Sequence, residues 1–332
     1  MAQPSPNSIW NATEQELLTL IDSGALIAKQ KKIRFYAPSF THYKTSQFCS
    51  STTEFPTISI TGNTCTLRCK HCEGKVLETM HAAATPQKLL QLCRELKAKG
   101  AKGCLVSGGC LPDGSVPLEE FASTLAQVKS ELDLTVFVHT GIITPENARQ
   151  LKTAQVDAAL IDVIGSNETI REVYNLKTTT DDYAASLQAL DQAAIPYIPH
   201  VIVGLHHGKL KGEQTALNLI RQHQPSAIVI ISLMPIHGTA MAKTTPPKPP
   251  DIARTVATAR QMFPQTPLVL GCMRPKGVHR SETDVLAIKA GVDAIAFPSE
   301  AALKFAEKEG FKVGFSAFCC AQIYKDIAEE EP

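Results

Sequence analysis

The sequence predicts an α/β protein, a closed (β/α)8 barrel of the TIM type, because short apolar runs alternate with amphipathic helical patterns from residue 57 onward. Eight such runs are present, at 58–60, 104–106, 134–138, 158–163, 198–203, 227–231, 268–270 and 294–297. Repeated strand-helix units favour a parallel sheet, and eight of them favour a closed barrel. An open doubly wound sheet is the competing interpretation.

The barrel domain is predicted to span residues 56–325, preceded by an extension at 1–55 that covers one end of it. In the extension, Thr13 and Glu16 form a capping-box pattern, and Gly24 is placed to end the helix that follows. An aromatic extended segment comes next, at 33–40. The chain ends in a cysteine-containing tail.

The helices of the barrel are predicted from capping signals and apolar spacing. Thr85 and Pro86 begin a helix whose apolar face carries Leu89, Leu92 and Leu96. A second helix, over 118–128, has the same spacing of apolar residues. The proline-rich run 245–250 predicts a stiff loop before the next helix, and not a domain boundary.

The composition is that of a soluble globular protein: 44% of residues are apolar, 20% are charged and the formal net charge is +1. The balance of 33 basic and 32 acidic residues gives no electrostatic reason to expect nucleic acid or an anionic membrane as partner. A secretory signal pattern and a membrane-length apolar run are both missing from the sequence, which predicts a cytoplasmic location. Ten cysteines in such a protein favour metal binding over disulfides.

Three of these cysteines, Cys65, Cys69 and Cys72, follow the first predicted strand closely. Thiolates are the usual ligands of iron-sulfur clusters, and a short loop can direct all three at one centre. On a four-iron cluster, three thiolates leave one iron without a protein ligand, and an open coordination position can bind a substrate or cofactor. The alternatives are a zinc knot, which normally needs four ligands, or three ordinary loop thiols.

This spacing resembles the cluster motif of the radical S-adenosylmethionine (radical SAM) enzymes. The resemblance implies that SAM binds the open iron through its amine and carboxylate and is cleaved to a 5'-deoxyadenosyl radical. His71 stands where these enzymes commonly have an aromatic residue beside the adenine. The turn at Ser107, Gly108 and Gly109 resembles the motif whose backbone holds the SAM amino group, since glycine permits close approach. Asp162 falls where a polar residue meets the SAM ribose, although it could instead cap the following helix.

The segments 139–148, 156–165, 199–205 and 271–274 resemble the biotin synthase branch of this superfamily, and the resemblance covers roughly 56–325. It places Arg274 where an arginine of biotin synthase reaches the sulfur-donating cluster. The three cysteines that hold that second cluster are replaced here by Leu105, Phe137 and Ile198.

Other cysteines that follow predicted strands could hold a second cluster instead. They are Cys110, Cys272, Cys319 and Cys320, and of the adjacent pair we expect one ligand and one neighbour. Buried cysteine is common, so some of the four could merely pack. Cys93 and Cys104 are predicted to be core residues, and Cys49 is undecided.

Four histidines, His139, His200, His206 and His207, also lie near strand ends, where they shape the pocket or fill ordinary hydrogen-bonding roles. His139 and His200, together with Cys272 and Arg274, are the catalytic candidates.

The motifs at 33–40, 61–74, 107–110, 199–208 and 271–277 together resemble a subunit of the two-protein lipoyl synthases. The resemblance implies sulfur insertion into a C–H bond of an octanoyl chain held on a lysine of a lipoyl carrier domain or an H-protein-like protein. It further implies a second, sulfur-donating iron-sulfur cluster, a companion radical SAM subunit and an electron donor such as ferredoxin or flavodoxin. The alternatives are another biotin synthase-like enzyme, acting on biotin or in hydrogenase cofactor maturation, and a non-enzymatic iron-sulfur or zinc protein.

Overall fold

The computed structural model describes residues 4–27, 31–39, 41–50 and 53–329. Its strands are β1 Lys32–Tyr36, β2 Thr57–Ser59, β3 His81–Ala82, β4 Gly103–Ser107, β5 Thr135–His139, β6 Ala158–Asp162, β7 Tyr197–Val203, β8 Ile228–Ser232, β9 Leu268–Leu270, β10 Ala294–Ala296 and β11 Lys312–Ser316. Its α-helices are α1 Pro6–Asn11, α2 Glu14–Asp22, α3 Pro86–Ala98, α4 Ala122–Leu132, α5 Pro145–Thr153, α6 Asn167–Tyr174, α7 Thr180–Gln192, α8 Glu213–Ile220, α9 Pro249–Met262, α10 Val278–Lys289, α11 Glu300–Lys308 and α12 Ile323–Ala328. Short 3-10 helices lie at Lys75–Thr79, Glu119–Phe121 and Cys320–Gln322.

The strands form one parallel sheet in the order β11-β1-β10-β9-β8-β7-β6-β5-β4-β2-β3. Eight of them, β2 and β4 to β10, are the predicted runs, and they lie side by side in chain order. The predicted α/β fold with a curled parallel sheet of the TIM type is therefore confirmed. Since the strands are parallel, their carboxyl ends meet at one edge, which is the mouth of the barrel.

The ends of the sheet differ from the predicted closed ring. The extension supplies β1, which pairs with β10, and the tail supplies β11, which pairs with β1. Ile33, Phe35 and Tyr36 are buried, so the extended segment predicted at 33–40 is a core strand; Phe40 lies outside the described residues. In the described residues no ladder joins β2 to β10, because β1 occupies that edge of β10.

The concave face of the sheet packs around the C-terminal tail. Its apolar cluster includes Phe137, Ile198 and Val229 from the strands together with Ala321 and Ile323 from the tail. The Tyr324 hydroxyl donates to the backbone oxygen of Asp157 at 2.7 Å, at the amino end of β6. The C-terminal tail therefore fills the interior of the curled sheet.

The extension begins with two helices that pack against α9. Thr13 and Glu16 make the predicted reciprocal capping box at the start of α2. The guanidinium of Arg254, on α9, donates to the backbone oxygens of Ile9, Trp10 and Ala12 at 2.6 to 3.0 Å. In the described part of the chain, no helix is both long enough and apolar enough to cross a membrane.

Asp157 joins the tail to the barrel and makes stability depend on pH. Its carboxylate accepts from Lys129 at 2.7 Å and from Lys325 at 2.5 Å. Burial opposes its ionisation, but the hydrogen bonds from the two ammonium groups hold its pKa below the ordinary value. Since the folded pKa lies below the unfolded one, the carboxylate stabilises the fold above about pH 4, and that stabilisation is lost as the pH falls through the folded pKa.

We expect Asp157→Asn to lower the free energy of unfolding of the apoprotein by about 2 to 3 kcal/mol at pH 7, because it leaves two partly buried ammonium groups unpaired. The loss should be smaller at pH 3, because that pH lies below the ordinary aspartate pKa of about 3.9, where the stabilisation by the ionised carboxyl is already falling. Denaturant unfolding at both pH values measures this. Asp133→Asn, at an exposed helix end, should change the free energy by less than about 0.5 kcal/mol. An equal loss for Asp157→Asn at both pH values would contradict the ion-pair explanation.

Candidate active site

The loop that follows β2 carries the three cysteines and folds tightly around them. The backbone nitrogens of Cys72 and Glu73 both donate to the oxygen of Cys69, at 3.0 and 2.8 Å. Arg68, Glu73 and Gly74 adopt positive φ angles, of 42°, 47° and 78°. The chain therefore turns sharply just before Cys69 and just after Cys72, and the Cys69 thiol interacts with those of Cys72 and Cys65.

The thiols of this loop interact with one another. Cys69 is buried, and its Sγ lies 3.6 Å from the backbone oxygen of Tyr174. A hydrogen bond from the Cys69 thiol and the neighbouring His71 ring lower the pKa of Cys72 to about 4. Converging thiols, one of them readily ionised, are the donor set that an iron-sulfur cluster requires, so these residues fit a cluster held by three cysteines.

Helix α6 and its C-terminal end hold the three-cysteine loop in place. The backbone nitrogen of Lys70 donates to Val173 at 2.8 Å, and the Asn175 amide donates to the oxygens of Leu67 and Arg68 at 3.2 and 3.3 Å. These contacts make the position of the cluster loop depend on the end of α6.

His71 has a polar atom in position to meet a ligand. Its ring centroid lies 5.2 Å from that of Tyr174. Its Nδ1 is buried and has no hydrogen-bond partner among the described residues. A buried nitrogen without a partner is costly, so this atom fits a site in which a bound cofactor supplies the missing contact.

The predicted glycine turn lies directly against the three-cysteine loop. The backbone nitrogen of Gly109 donates to Thr61 Oγ1 at 2.7 Å, and that hydroxyl donates to the oxygen of Thr64 at 2.9 Å. The backbone oxygen of Cys110 accepts from Thr66 at 3.0 Å. Burial, and then the nearby Cys65 thiol, raise the pKa of Cys110 to about 12. Cys110 therefore lies beside the three-cysteine loop.

Gly109 leaves no room for a side chain. A Cβ at this position would overlap the backbone oxygen of Thr64 and would lie 2.6 Å from the Cα of Cys65. We expect Gly109→Ala to displace the cysteine loop and to reduce iron incorporation at the first site to less than about half, read from iron content and cluster absorbance. In Gly314→Ala, by comparison, the new Cβ would have its nearest neighbour at 3.7 Å and should leave iron content unchanged. Full iron content in Gly109→Ala would show that the loop can shift without losing its metal.

Three polar side chains meet near the mouth: His139 and Asp162 end β5 and β6, and His200 lies beside Asp162 within β7. His139 Nε2 lies 3.5 Å from Asp162 Oδ1, and the His139 and His200 rings lie 5.7 Å apart. The Tyr174 hydroxyl donates to Asp162 Oδ2 at 3.4 Å. Burial alone would raise the pKa of Asp162, but the His139 ring holds it down to about 2. Asp162 is therefore an ionised acceptor for ligand hydroxyls.

The pKa values of the two histidines of this group shift in opposite directions. Burial opposes protonation of His139, but Asp162 outweighs it and raises the pKa of His139 above its ordinary value. Burial, and then the His139 charge, lower the pKa of His200 to about 4, so its ring is neutral. His200 Nδ1 lies 3.1 Å from the backbone oxygen of Ile198. Two imidazole rings and a carboxylate thus line one wall of the mouth, and their ligand atoms lie close enough together to hold a divalent cation.

A second group of cysteines lies in the apolar interior, apart from the first. Cys272, after β9, and Cys319 and Cys320, after β11, all belong to the cluster that surrounds the tail. Cys320 is buried, and its thiol hydrogen bond lowers the pKa of Cys319, while burial raises that of Cys272 to about 11. The structure therefore brings three of the four predicted second-cluster cysteines together and places Cys110 elsewhere.

Arg274 is fully buried and is engaged by protein groups. Its Nε donates to Asp284 at 2.7 Å, and Nη1 donates to the oxygens of Gly271 and Ala296 at 2.6 and 2.8 Å. A further bond joins Nη2 to Phe297. Arg274 therefore ties the loop after β9 to the end of β10, and the catalytic role predicted for it stays a prediction.

The loop after β8 crosses the mouth to the three-cysteine loop. The backbone nitrogen of Ala240 donates to the Glu73 carboxylate at 2.7 Å, and that of Met241 donates to Lys70 at 3.3 Å. These bonds hold the loop after β8 against the three-cysteine loop.

The remaining predicted positions lie around or away from the mouth. His206 lies at the edge, with Nδ1 3.2 Å from Thr169 Oγ1, and His207 is exposed. Cys93 and Cys104 are buried, as predicted for core residues, and Cys49 is exposed.

Tyr174 is the site residue that sequence reasoning missed. It contacts His71, Cys69 and Asp162, although it comes from the end of a helix where no motif marks it. The signal available was Asn175, which ends α6 with a left-handed φ of 55°. Such a helix end shows that the chain turns there, but not what it turns toward.

Comparison with known proteins agrees with this geometry. Residues 59–216 match the family model described as the Radical SAM superfamily. Residues 59–216 are thus similar to a radical SAM domain, and the relatives place the similarity in the biotin synthase-like group of that class. A four-iron cluster and SAM are the cofactors of this class.

Biotin synthases are among the relatives. That of Desulforudis audaxviator (strain MP104C) is 27% identical over 241 residues, which cover 70% of this chain and 70% of that protein. That of Legionella pneumophila (strain Corby) is 26% identical over 248 residues, covering 72% and 76%.

Solved structures share the fold. The FeFe-hydrogenase maturase HydG from Carboxydothermus hydrogenoformans matches 93% of this chain and 75% of its own, with a TM-score of 0.61 and 16% identity. Methylornithine synthase (PylB) matches 97% and 99%, with a TM-score of 0.60 and 13% identity.

Proposed function

We propose that the protein is one subunit of a two-protein lipoyl synthase. It inserts one sulfur atom into a C–H bond of an octanoyl chain that is amide-linked to a lysine of a lipoyl carrier domain, and a companion radical SAM protein inserts the other. The observation that supports this most is the pair of separate cysteine groups, Cys65, Cys69 and Cys72 at the mouth and Cys272, Cys319 and Cys320 in the interior.

The first group supports the radical chemistry. When bound there, a four-iron cluster and SAM supply a 5'-deoxyadenosyl radical that removes a hydrogen atom from the substrate. The chain positions them: Gly109 lets the glycine turn pack directly against the three-cysteine loop, and His71 Nδ1 and the Asp162 carboxylate offer polar contacts to the nucleoside.

The second group supports a sulfur-donating cluster. Cys272 and Cys319 are its candidate ligands, and Cys320, more deeply buried, packs beside them as the neighbour. The surrounding side chains are apolar: Leu105, Phe137 and Ile198 all belong to this interior cluster. Apolar walls suit a fatty chain, because burying each methylene from water is favourable by about 0.8 kcal/mol.

His139 links the two groups in space. It pairs with Asp162, whose charge influences the pKa of Cys110 and is itself influenced by His71. The His139 ring also lowers the pKa of Cys319. We propose that the octanoyl carbon is held near His139 and His200, between the two cysteine groups. Ferredoxin or flavodoxin is the proposed electron donor and the cytoplasm the proposed location.

The test uses the anaerobically reconstituted protein with SAM, reductant and an octanoyl-lysine peptide, following deoxyadenosine and the peptide mass together. Deoxyadenosine with a peptide heavier by one sulfur would support the proposal. Deoxyadenosine with an unchanged peptide, including in the presence of the companion protein, would refute the lipoyl assignment and leave a radical SAM enzyme.

A second candidate, biotin synthase-type sulfur insertion into a free small molecule, is favoured by the similarity to biotin synthases. The apolar residues Leu105, Phe137 and Ile198 at the places of that enzyme's cluster cysteines weigh against it. The same assay with the biotin precursor in place of the peptide distinguishes the two, since each candidate predicts thiolation of one substrate alone.

A further inference from the structure

The loops that follow three neighbouring strands, β7, β8 and β9, carry positive charge and no negative charge. They and the first residues after them span 204–212, 233–248 and 271–281, and these ranges contain neither Asp nor Glu. The whole chain has 33 basic and 32 acidic residues, so the one-sided distribution does not follow from composition. The loops on this side of the barrel mouth therefore contribute only basic charge, with Glu168 and Glu172 of α6 beside His206 and His207 as acidic neighbours of the loop after β7.

Within this region, some lysines are available to a partner. Lys211 pairs with Glu168, and Lys248 lies 3.7 Å from Glu14. Four lysines have no ion-pair partner among the described residues, and together they form the basic rim: Lys75, Lys209, Lys243 and Lys276. Lys75 is partly buried, and the other three are exposed. Lys75 joins the group from the three-cysteine loop, because its ammonium lies against Gly238 in the loop after β8.

The loops that carry the basic rim are locked together. A Cβ on Gly208 would collide with the backbone oxygen of Thr245, so the loop after β7 lies directly on the proline-rich run 245–250. From the other side, His279 Nε2 donates to the backbone oxygen of Pro247 at 2.8 Å. A surface that is already ordered loses less conformational entropy when a partner binds, which favours recognition.

The chemistry of the rim favours a protein partner over a nucleic acid or a membrane. The three ranges contain no Phe, Tyr or Trp, so they offer no platform on which bases could stack. One apolar side chain projects there, Val278, which is 84% exposed. A single valine anchors no membrane, but it suits the centre of a small protein contact.

The rim's cations are all lysines. Their hydrated ammonium groups form weak exposed ion pairs, which raise association rates more than they prolong a complex. Such a surface suits a partner that must dock, be modified and leave.

We propose that the basic rim is the docking surface for the carrier domain, and that it recognises acidic side chains around the modified lysine so that the acyl chain enters the mouth beside it. The identity of the partner as a lipoyl carrier rests on the proposed function. The position of the rim and the sign of its charge follow from the structure.

The experiment measures binding of an octanoylated, acidic lipoyl carrier domain to the reconstituted protein without SAM, at 50 and 200 mM NaCl. We expect the triple variant Lys209→Glu/Lys243→Glu/Lys276→Glu to raise Kd at least about tenfold and to flatten its salt dependence. The matched control is Lys99→Glu/Lys308→Glu/Lys312→Glu, at exposed positions near the amino ends of β4 and β11. It should stay within about twofold of wild type, and equal melting temperatures verify the fold of both variants.

Wild-type Kd in the rim variant, an equal loss in the control, or no carrier binding at all would overturn the proposal. So would rim-dependent binding of a 20-base-pair DNA or of phosphatidylserine vesicles in place of the carrier. These results are separable from the proposed function. If binding depends on the rim but the peptide is not thiolated, only the lipoyl assignment is refuted. If thiolation occurs equally in the rim variant, only the docking surface is refuted.

Discussion

Replacing Cys69 with alanine is expected to remove the cluster at the barrel mouth and, with it, SAM cleavage. Cys69 is the most buried thiol of the three-cysteine loop, and two backbone nitrogens of that loop converge on its oxygen. With only Cys65 and Cys72 left, a cluster would expose two irons instead of one and would be lost. Iron bound at this site should fall from about four per chain to less than about one, and deoxyadenosine formation should fall to background.

The matched control is Cys93→Ala. Cys93 is equally buried but lies on α3 in the layer between helices and sheet, with Cys104 as its thiol partner. It should lose some stability, about 1 to 2 kcal/mol, while keeping iron and SAM cleavage. If Cys69→Ala retained a four-iron cluster that still cleaves SAM, then another thiol, with Cys110 the nearest candidate, would be a ligand and the three-cysteine assignment would be wrong.

The strands and the three-cysteine motif were predictable because their signals are local. Apolar runs with intervening helical patterns mark the strands, and the spacing of Cys65, Cys69 and Cys72 lies within one loop. The parallel arrangement follows from the alternation, and this places every loop after a strand at one edge. The meeting of His139, Asp162 and His200 at that edge follows from the same rule.

What the sequence could not predict depends on contacts between distant segments. β1 and β11 pair with each other across nearly the full length of the chain, and nothing in either segment names its partner. The tail residues Ala321 and Ile323 pack against strand residues that are distant from them in the sequence. Arg274 lies within a recognisable motif, yet its guanidinium pairs with Asp284, and only the packed structure shows that pairing. Tyr174 escaped notice for the same reason.

The second group of cysteines leads to the other large expected effect, in which two activities separate. Cys272→Ala combined with Cys319→Ala should reduce iron from about eight to about four per chain. Deoxyadenosine should still form, because the three-cysteine loop contacts α6 and the glycine turn and not these residues. Sulfur transfer to the octanoyl peptide should be lost entirely, since the variant retains no set of converging thiols in the apolar interior.

Two single variants sharpen this expectation. Cys320→Ala should keep most of the second cluster, because Cys320 is buried within the apolar cluster beside the tail. Cys110→Ala should disturb the first site, since its backbone and thiol lie against the Cys65 loop. A wild-type protein that never exceeds about four irons after reconstitution would refute the second cluster. The interior cysteines would then be packing residues, and sulfur would have to come from elsewhere. If the double variant still binds about eight irons, the ligands of the second cluster must be other thiols, with Cys110 and Cys49 as the first candidates.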